Sequence, residues 1–98
     1  MVNIVQGLLV EWDEAKNELN KKKHGIDFRD AGLIFGDEAR IEMYDRVHSI
    51  DEDRYITIGK VGTVLFVVFT ERPAHHAVRL ISARKANARE RRLYYGNP

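Results

Sequence analysis

Ninety-eight residues, 44% hydrophobic and 32% charged, fit one small folded domain spanning 1–98 and exclude a chain disordered throughout. The lack of cysteine excludes disulfides and thiolate-held zinc, and fits a reducing compartment. The net charge of +1 is unevenly spread: from residue 77 onward Arg79, Arg84, Lys85, Arg89, Arg91 and Arg92 stand against Glu90 alone, +5 net, so the first 76 residues carry −4. A basic end on a nearly neutral chain suggests an anionic partner, although a charge cluster on a terminal helix is more often a solvated face.

The opening "MVNIVQGLLV" has no basic lead, is interrupted by Asn3 and Gln6, and is too short to cross a bilayer. It reads as a short strand or an irregular start rather than a secretory signal. A first helix is predicted from Asp13, its N-cap, to His24. Trp12, Ala15 and Leu19 mark its buried side, and Lys21, Lys22, Lys23 and His24 fill its last turn before Gly25. A second helix follows at once, capped by Asp27 and ended at Gly36-Asp37, with Phe28, Ala31, Ile34 and Phe35 on its apolar side.

The period then changes from helix to strand. "ARIEMYD" (39–45) and "RYITIGK" (54–60) alternate, and Gly62 marks a hairpin. "TVLFVVFT" (63–70) is apolar throughout and reads as a central strand covered on both faces. "AVRLISAR" (77–84) is a fourth strand, and Asn87 with Glu90 forms a capping box for a last helix that Gly96 stops. Three short connections between strands imply an antiparallel meander. The expected fold class is therefore α+β: two N-terminal helices, a four-stranded antiparallel meander and a C-terminal helix, with the helices on one sheet face.

The other face would then be open to water, and Arg79, alternating with Val78 and Leu80, points onto it. Arg54 and Arg72 lie at strand ends nearby; alternation does not fix the direction of Arg84. Arginines gathered on one sheet near a basic helix suit a phosphate cradle. Such a site has the parts for metal-free RNA cleavage, in which the RNA 2′-OH is the nucleophile and the protein moves protons and stabilises the phosphorane. His24, Lys23 or Tyr94 could move protons, Arg79 and Arg84 could stabilise charge, and Tyr44, Tyr55, Tyr94 and Tyr95 could stack on bases. Each also has an ordinary structural explanation: the lysines and His24 complement a helix C-terminus, Arg79 can pair with a carboxylate, and the tyrosines can pack the last helix. Glu71 reads as an edge charge rather than a base. Adjacent His75 and His76 point apart and make no metal site, so neither metal nor cofactor is expected.

Three separated stretches resemble the BrnT toxins. "EWDEAKNELNKKKHGIDFRDAGLIF" (11–35) resembles the family opening through Trp12, Asp13, Lys16, Asn20, Lys23, His24, Gly25, Ile26 and Phe28. "RYITIGKVGTVLFVVFTER" (54–72) resembles its strand pair, with Phe69 where histidine is common. "VRLISARKANARERRLYYG" (78–96) resembles its ending through Arg79, Ile81, Ser82, Ala83, Arg84, Ala86, Glu90, Arg91 and Tyr94. The resemblance implies a RelE-like ribonuclease fold and a cytoplasmic type II toxin that cleaves RNA without metal and arrests growth. It also implies neutralisation by a BrnA-type antitoxin, contact with operator DNA only through that complex, no membrane, and a homodimer or a heterotetramer with the antitoxin.

On this resemblance His24 and Lys23 are expected to contact or protonate the scissile phosphate, and Arg79 and Arg84 to stabilise the transition state. Lys22, Arg54, Arg72, Arg91 and Tyr94 are expected to bind RNA. No function is assigned to residues 1–10. Two rival readings remain: an inactive family member kept as an antitoxin-binding partner, and a non-enzymatic nucleic-acid-binding module.

Overall fold

The computed structural model describes residues 1–96; residues 97 and 98 of the expected 1–98 span lie outside the described residues. Its centre is a six-stranded sheet of order β1-β2-β6-β5-β4-β3, formed by β1 (Val2–Val5), β2 (Leu8–Glu11), β3 (Ile41–Tyr44), β4 (Tyr55–Val61), β5 (Thr63–Arg72) and β6 (Ala77–Lys85). β3 to β6 form the expected antiparallel meander, but the four-stranded antiparallel sheet is corrected to a six-stranded mixed one. The opening ten residues supply the difference. Gln6 and Gly7 both take left-handed φ (49° and 83°), the geometry of a two-residue hairpin turn, and split the apolar run into two strands. β2 then lies parallel to β6, with Leu9, Val10 and Glu11 opposite Ala77, Val78 and Arg79.

Three helices flank the sheet: α1 (Glu14–His24), α2 (Phe28–Ala31) and α3 (Ala88–Tyr95). The second predicted helix is one α turn continued by a 3-10 turn (Gly32–Gly36). This segment covers one face of the sheet, where Phe28, Ala31 and Ile34 pack with Val10, Trp12, Leu65, Val67, Phe69, Val78 and Leu80. Gly59 of β4 faces that turn; a Cβ there would lie 2.6 Å from Ile34 Cγ1, so only glycine admits so close an approach.

The helices do not share one face, contrary to expectation. A second core of Ile58, Val64 and Ala86, with Ile41, Ile56, Phe66 and Tyr94 packed against it, lies on the opposite side under α3. Alternation along β4 accounts for it: Ile56 and Ile58 point away from Tyr55, Thr57 and Gly59, and need their own cover.

α1 departs from its predicted docking as well. Ala15 and Leu19 are exposed, Leu19 at 66%, and the buried positions are Asn17 and Asn20. The reason is where the helix sits. β2 stops pairing at Arg79, leaving the rest of that β6 edge with unpaired backbone. The Asn20 amide closes it, donating to Ala83 O (2.9 Å) and accepting from Ala83 N–H (3.1 Å), while also donating to Ile26 O (2.9 Å). Asn17 accepts from Phe28 N–H (2.8 Å) and donates to the Asp27 cap (3.0 Å), joining α1 to α2. A helix that docks on a polar sheet edge buries amides rather than an apolar stripe.

Candidate functional site

The face opposite α2 receives Phe66, Val68, Thr70 and Arg72 from β5, with Arg84, Ser82 and Arg79 of β6 paired opposite the first three in turn. Strict alternation would place Arg79 and Arg84 on opposite faces. A β-bulge prevents this: Phe69 pairs with Leu80 and Val68 with Ser82, so Ile81 is an extra residue and the alternation resets there. Arg79, Ser82 and Arg84 therefore line one face. α3 covers one end of it over Phe66, and half-buried Val68 forms the floor beyond. The apolar run of β5 thus serves a core on one side and this floor on the other.

Arg84 is held firmly. Its guanidinium lies 4.0 Å above the Phe66 ring and grips Glu90 at two points, Nη1–Oε1 2.8 Å and Nη2–Oε2 2.9 Å. Glu90 in turn accepts from Asn87 N–H (2.9 Å) in the capping box of α3, so one carboxylate fixes both the arginine and the helix start. The Arg84 hydrogen bonds hold the Glu90 carboxyl below its ordinary range despite burial, and the same bonds raise Arg84.

Arg79 and Arg72 are held loosely by one oxygen. Glu11 Oε1, from β2, lies 3.4 Å from Arg79 Nη1 and 3.8 Å from Arg72 Nε; Arg72 Nη1 also lies 3.5 Å from Glu52 Oε2. Thr70, paired with Arg79, is buried, and its Oγ1 has no hydrogen-bond partner among the described residues; nor has the buried Nε of Arg54.

Lys23 and half-buried His24 share a groove of about 320 Å³ with Lys16, Leu19, Asn20, Ile81 and Ser82. Ser82 belongs to the arginine-bearing face too, so the end of α1 and that face meet at Ser82. Lys22 is exposed on the same helix end. Gly25, with φ 72°, gives its N–H to Lys21 O and ends α1 just past His24.

The remaining expected residues are spent locally. Arg91 Nη1 donates to Ala86 O (2.8 Å) at the start of its own helix. The Tyr94 hydroxyl donates to Asp37 Oδ2 (2.7 Å), and that hydrogen bond, with burial, pushes the phenol up to about 12. Burial alone would raise Asp37, but the bonds from Tyr94, Lys60 N–H and Ala39 N–H outweigh it and leave the carboxyl lowered. Tyr55 stacks on Phe69 on the α2 side, with Tyr44 edge-on to it, whereas Tyr95 is exposed. Among the described residues no three His, Asp or Glu side chains are grouped to hold a metal.

Lys23 and His24 thus share a groove with Ser82, whose face of the sheet carries Arg79, Arg84 and Arg72, while Tyr94 and Arg91 are left in structural ties. Sequence reasoning missed Glu11, Phe66 and the role of Glu90 toward Arg84. Glu11 carried no signal, because its approach to Arg79 depends on a parallel pairing between the second strand and the last.

Comparison with known proteins places these features in a family. The family model described as "Ribonuclease toxin, BrnT, of type II toxin-antitoxin system" matches residues 12–90. The crystal structure of the Brucella abortus ribonuclease toxin BrnT is similar at a TM-score of 0.63 and 27% identity, covering 80% of this chain and 95% of that one. No curated protein matches the chain. The family match takes in α1, the strand meander and the start of α3, with the arginines, lysines and histidine of the face described above. The chain belongs to the BrnT family of ribonuclease toxins of type II toxin–antitoxin systems.

Proposed function

We propose that this chain is a metal-independent endoribonuclease that cleaves RNA on the β5–β6 face and arrests growth in the cytoplasm. The observation that carries the reading is the bulge at Ile81, which sets Arg79, Ser82 and Arg84 on one face with Lys23 and His24 at its margin. In the proposed reaction the 2′-oxygen forms a bond to its own 3′-phosphorus, and the bond from phosphorus to the 5′-oxygen breaks. One of Lys23 and His24 accepts the 2′-OH proton and the other protonates the leaving oxygen. Arg79 and Arg84 stabilise the charge on the phosphorane oxygens. Arg72 binds the neighbouring phosphate, Lys22 draws RNA in from the helix end, and Arg54, Arg91 and Tyr94 shape the flanking surface.

Family membership implies an antitoxin partner and an RNA substrate. We take that partner to be of the BrnA type, which neutralises the toxin, brings operator DNA to the complex and joins two toxins in a heterotetramer. A second reading, a binding-only member of the family, has one observation in its favour: Arg72, Arg79 and Arg84 are each already paired with a carboxylate. Labelled single-stranded RNA incubated with the purified protein in excess EDTA separates the two. Cleavage by the wild type and its loss in Arg79→Ala, whose loose contact to Glu11 leaves the melting midpoint nearly unchanged, is the expected result. RNA binding without product from either protein would establish the binding-only reading.

A further inference from the structure

The three arginines of the open face are held in two different ways. Glu90 grips Arg84 at two points below 3.0 Å, is itself tied to the backbone of α3, and is 12% exposed. Charge-assisted pairs of that length are the strong ones. Glu11 offers a single oxygen to both Arg79 and Arg72 at 3.4 and 3.8 Å, lengths at which such contacts are weak, and the two guanidinium side chains are 39% and 38% exposed. Its side chain has no hydrogen bond other than that to Arg79 among the described residues. A phosphate, with several oxygens and more charge, satisfies two guanidinium groups better than one shared carboxylate oxygen does.

The lysines complete the contrast. Lys16, Lys22 and Lys23 have no carboxylate within 4.0 Å among the described residues, whereas Arg72, Arg79 and Arg84 all do. In the free protein Lys22 and Lys23 at the end of α1 therefore carry uncompensated positive charge beside this face, whereas the arginine pair is masked.

We propose that Glu11 is an internal stand-in for an RNA phosphate: its carboxylate occupies the Arg72–Arg79 pair in the free protein, and single-stranded RNA binds by exchanging a backbone phosphate for it. This rests on the reading of the face as the RNA-binding surface. The lysines attract the strand first; Arg72 and Arg79 engage once Glu11 is displaced; Arg84 keeps its grip on Glu90 and meets the strand with its remaining N–H groups. Glu11 is thus a residue that sets the threshold for binding, acting through Arg72 and Arg79 without touching the reacting atoms. Glu52, at 3.5 Å from Arg72 and more exposed, plays a lesser part in the same mask.

The test uses a fluorescein-labelled single-stranded oligoribonucleotide with 2′-O-methyl groups, which lacks the nucleophile and stays intact. Anisotropy titrations over a range of salt compare the wild type with Glu11→Gln, Arg79→Ala and Glu38→Gln, the last a charge-matched change on an exposed loop. Glu11→Gln is expected to tighten binding about fivefold, the worth of removing two weak ion pairs. Its salt slope should stay within about 0.7 of the wild type's, because the same phosphates are engaged once Glu11 is displaced. Glu38→Gln should move binding by less than about twofold.

Equal or weaker binding by Glu11→Gln, with wild-type binding still sensitive to Arg79→Ala, overturns the exchange and leaves the RNA surface standing. Indifference of binding to Arg79→Ala, or no binding by any protein, overturns the surface reading and the exchange with it. Glu11→Asp, which withdraws the carboxylate by one methylene at constant net charge, replaces Glu11→Gln should that variant prove unstable: intermediate tightening supports the exchange, and none refutes it.

Discussion

Replacing Asn20 with leucine tests the docking of α1 most directly, because the two side chains have nearly the same shape and opposite polarity. The substitution removes the bonds to Ala83 N–H, Ala83 O and Ile26 O. Ala83 is fully buried, so its two backbone groups have no water to turn to. Each buried group left unpaired costs about 1–3 kcal/mol, and the better helix propensity of leucine returns only about 0.5 kcal/mol. The net expectation is a loss of about 2–4 kcal/mol, which for a chain of this size lowers the melting midpoint by about 10–25 °C. Circular dichroism melts and urea titrations measure it. Leu19→Gln, one residue away on the exposed side, should change stability by less than about 0.5 kcal/mol. A hydrophobicity argument predicts the reverse order. A leucine at 20 as stable as the asparagine, or a glutamine at 19 as damaging, would refute the idea that α1 docks through amides on a sheet edge.

Gly59→Ala should cost about 1–3 kcal/mol by urea midpoint, because the new Cβ would sit 2.6 Å from Ile34 Cγ1 and 3.0 Å from Arg40 Cβ and force the 3-10 turn off β4; an unchanged midpoint would mean that the turn yields freely. Tyr94→Phe should cost about 1 kcal/mol at neutral pH by losing the bond to Asp37, which keeps its two backbone donors. The Tyr94 phenol is raised on folding, so its contribution is complete below the ordinary phenol value of about 10 and is lost as pH rises toward about 12. The stability gap between wild type and Tyr94→Phe, measured in urea at neutral pH and at about pH 11, should therefore narrow with alkali; a gap that stays constant would show that the hydroxyl bond does not stabilise the fold.

Features confined to a single segment are legible in the sequence. Asp13 caps α1 through Ala15 and Lys16 N–H, Gly25 ends it in the left-handed region, and the Asn87–Glu90 capping box opens α3. The meander follows from short connections and turn residues such as Gly62. Features that depend on a distant partner are not legible. The Gln6-Gly7 turn lacks the usual Asn or Asp, so nothing in its neighbourhood announces two strands rather than one. The bulge at Ile81 sits in a stretch that alternates acceptably either way, and only pairing with β5 decides which arginines share a face. Asn17 and Asn20 look solvent-facing unless the unpaired edge of β6 is known. The candidate residues can thus be named from the sequence, but not their partners Glu11 and Glu90, nor which of them lie side by side.

The parallel pairing of β2 with β6 bears on synthesis. Glu11 meets Arg79 across 68 residues of chain and Asn20 meets Ala83 across 63, so the first-made elements wait for the last strand. A nascent chain that has not released β6 from the ribosome has neither Arg79 nor Arg84 in its sheet, and its own hairpin has nowhere to dock. Contacts of such long range form late and slowly. On the proposed reading, fragments that stop before β6 therefore lack Arg79 and Arg84 and with them the face that would engage RNA.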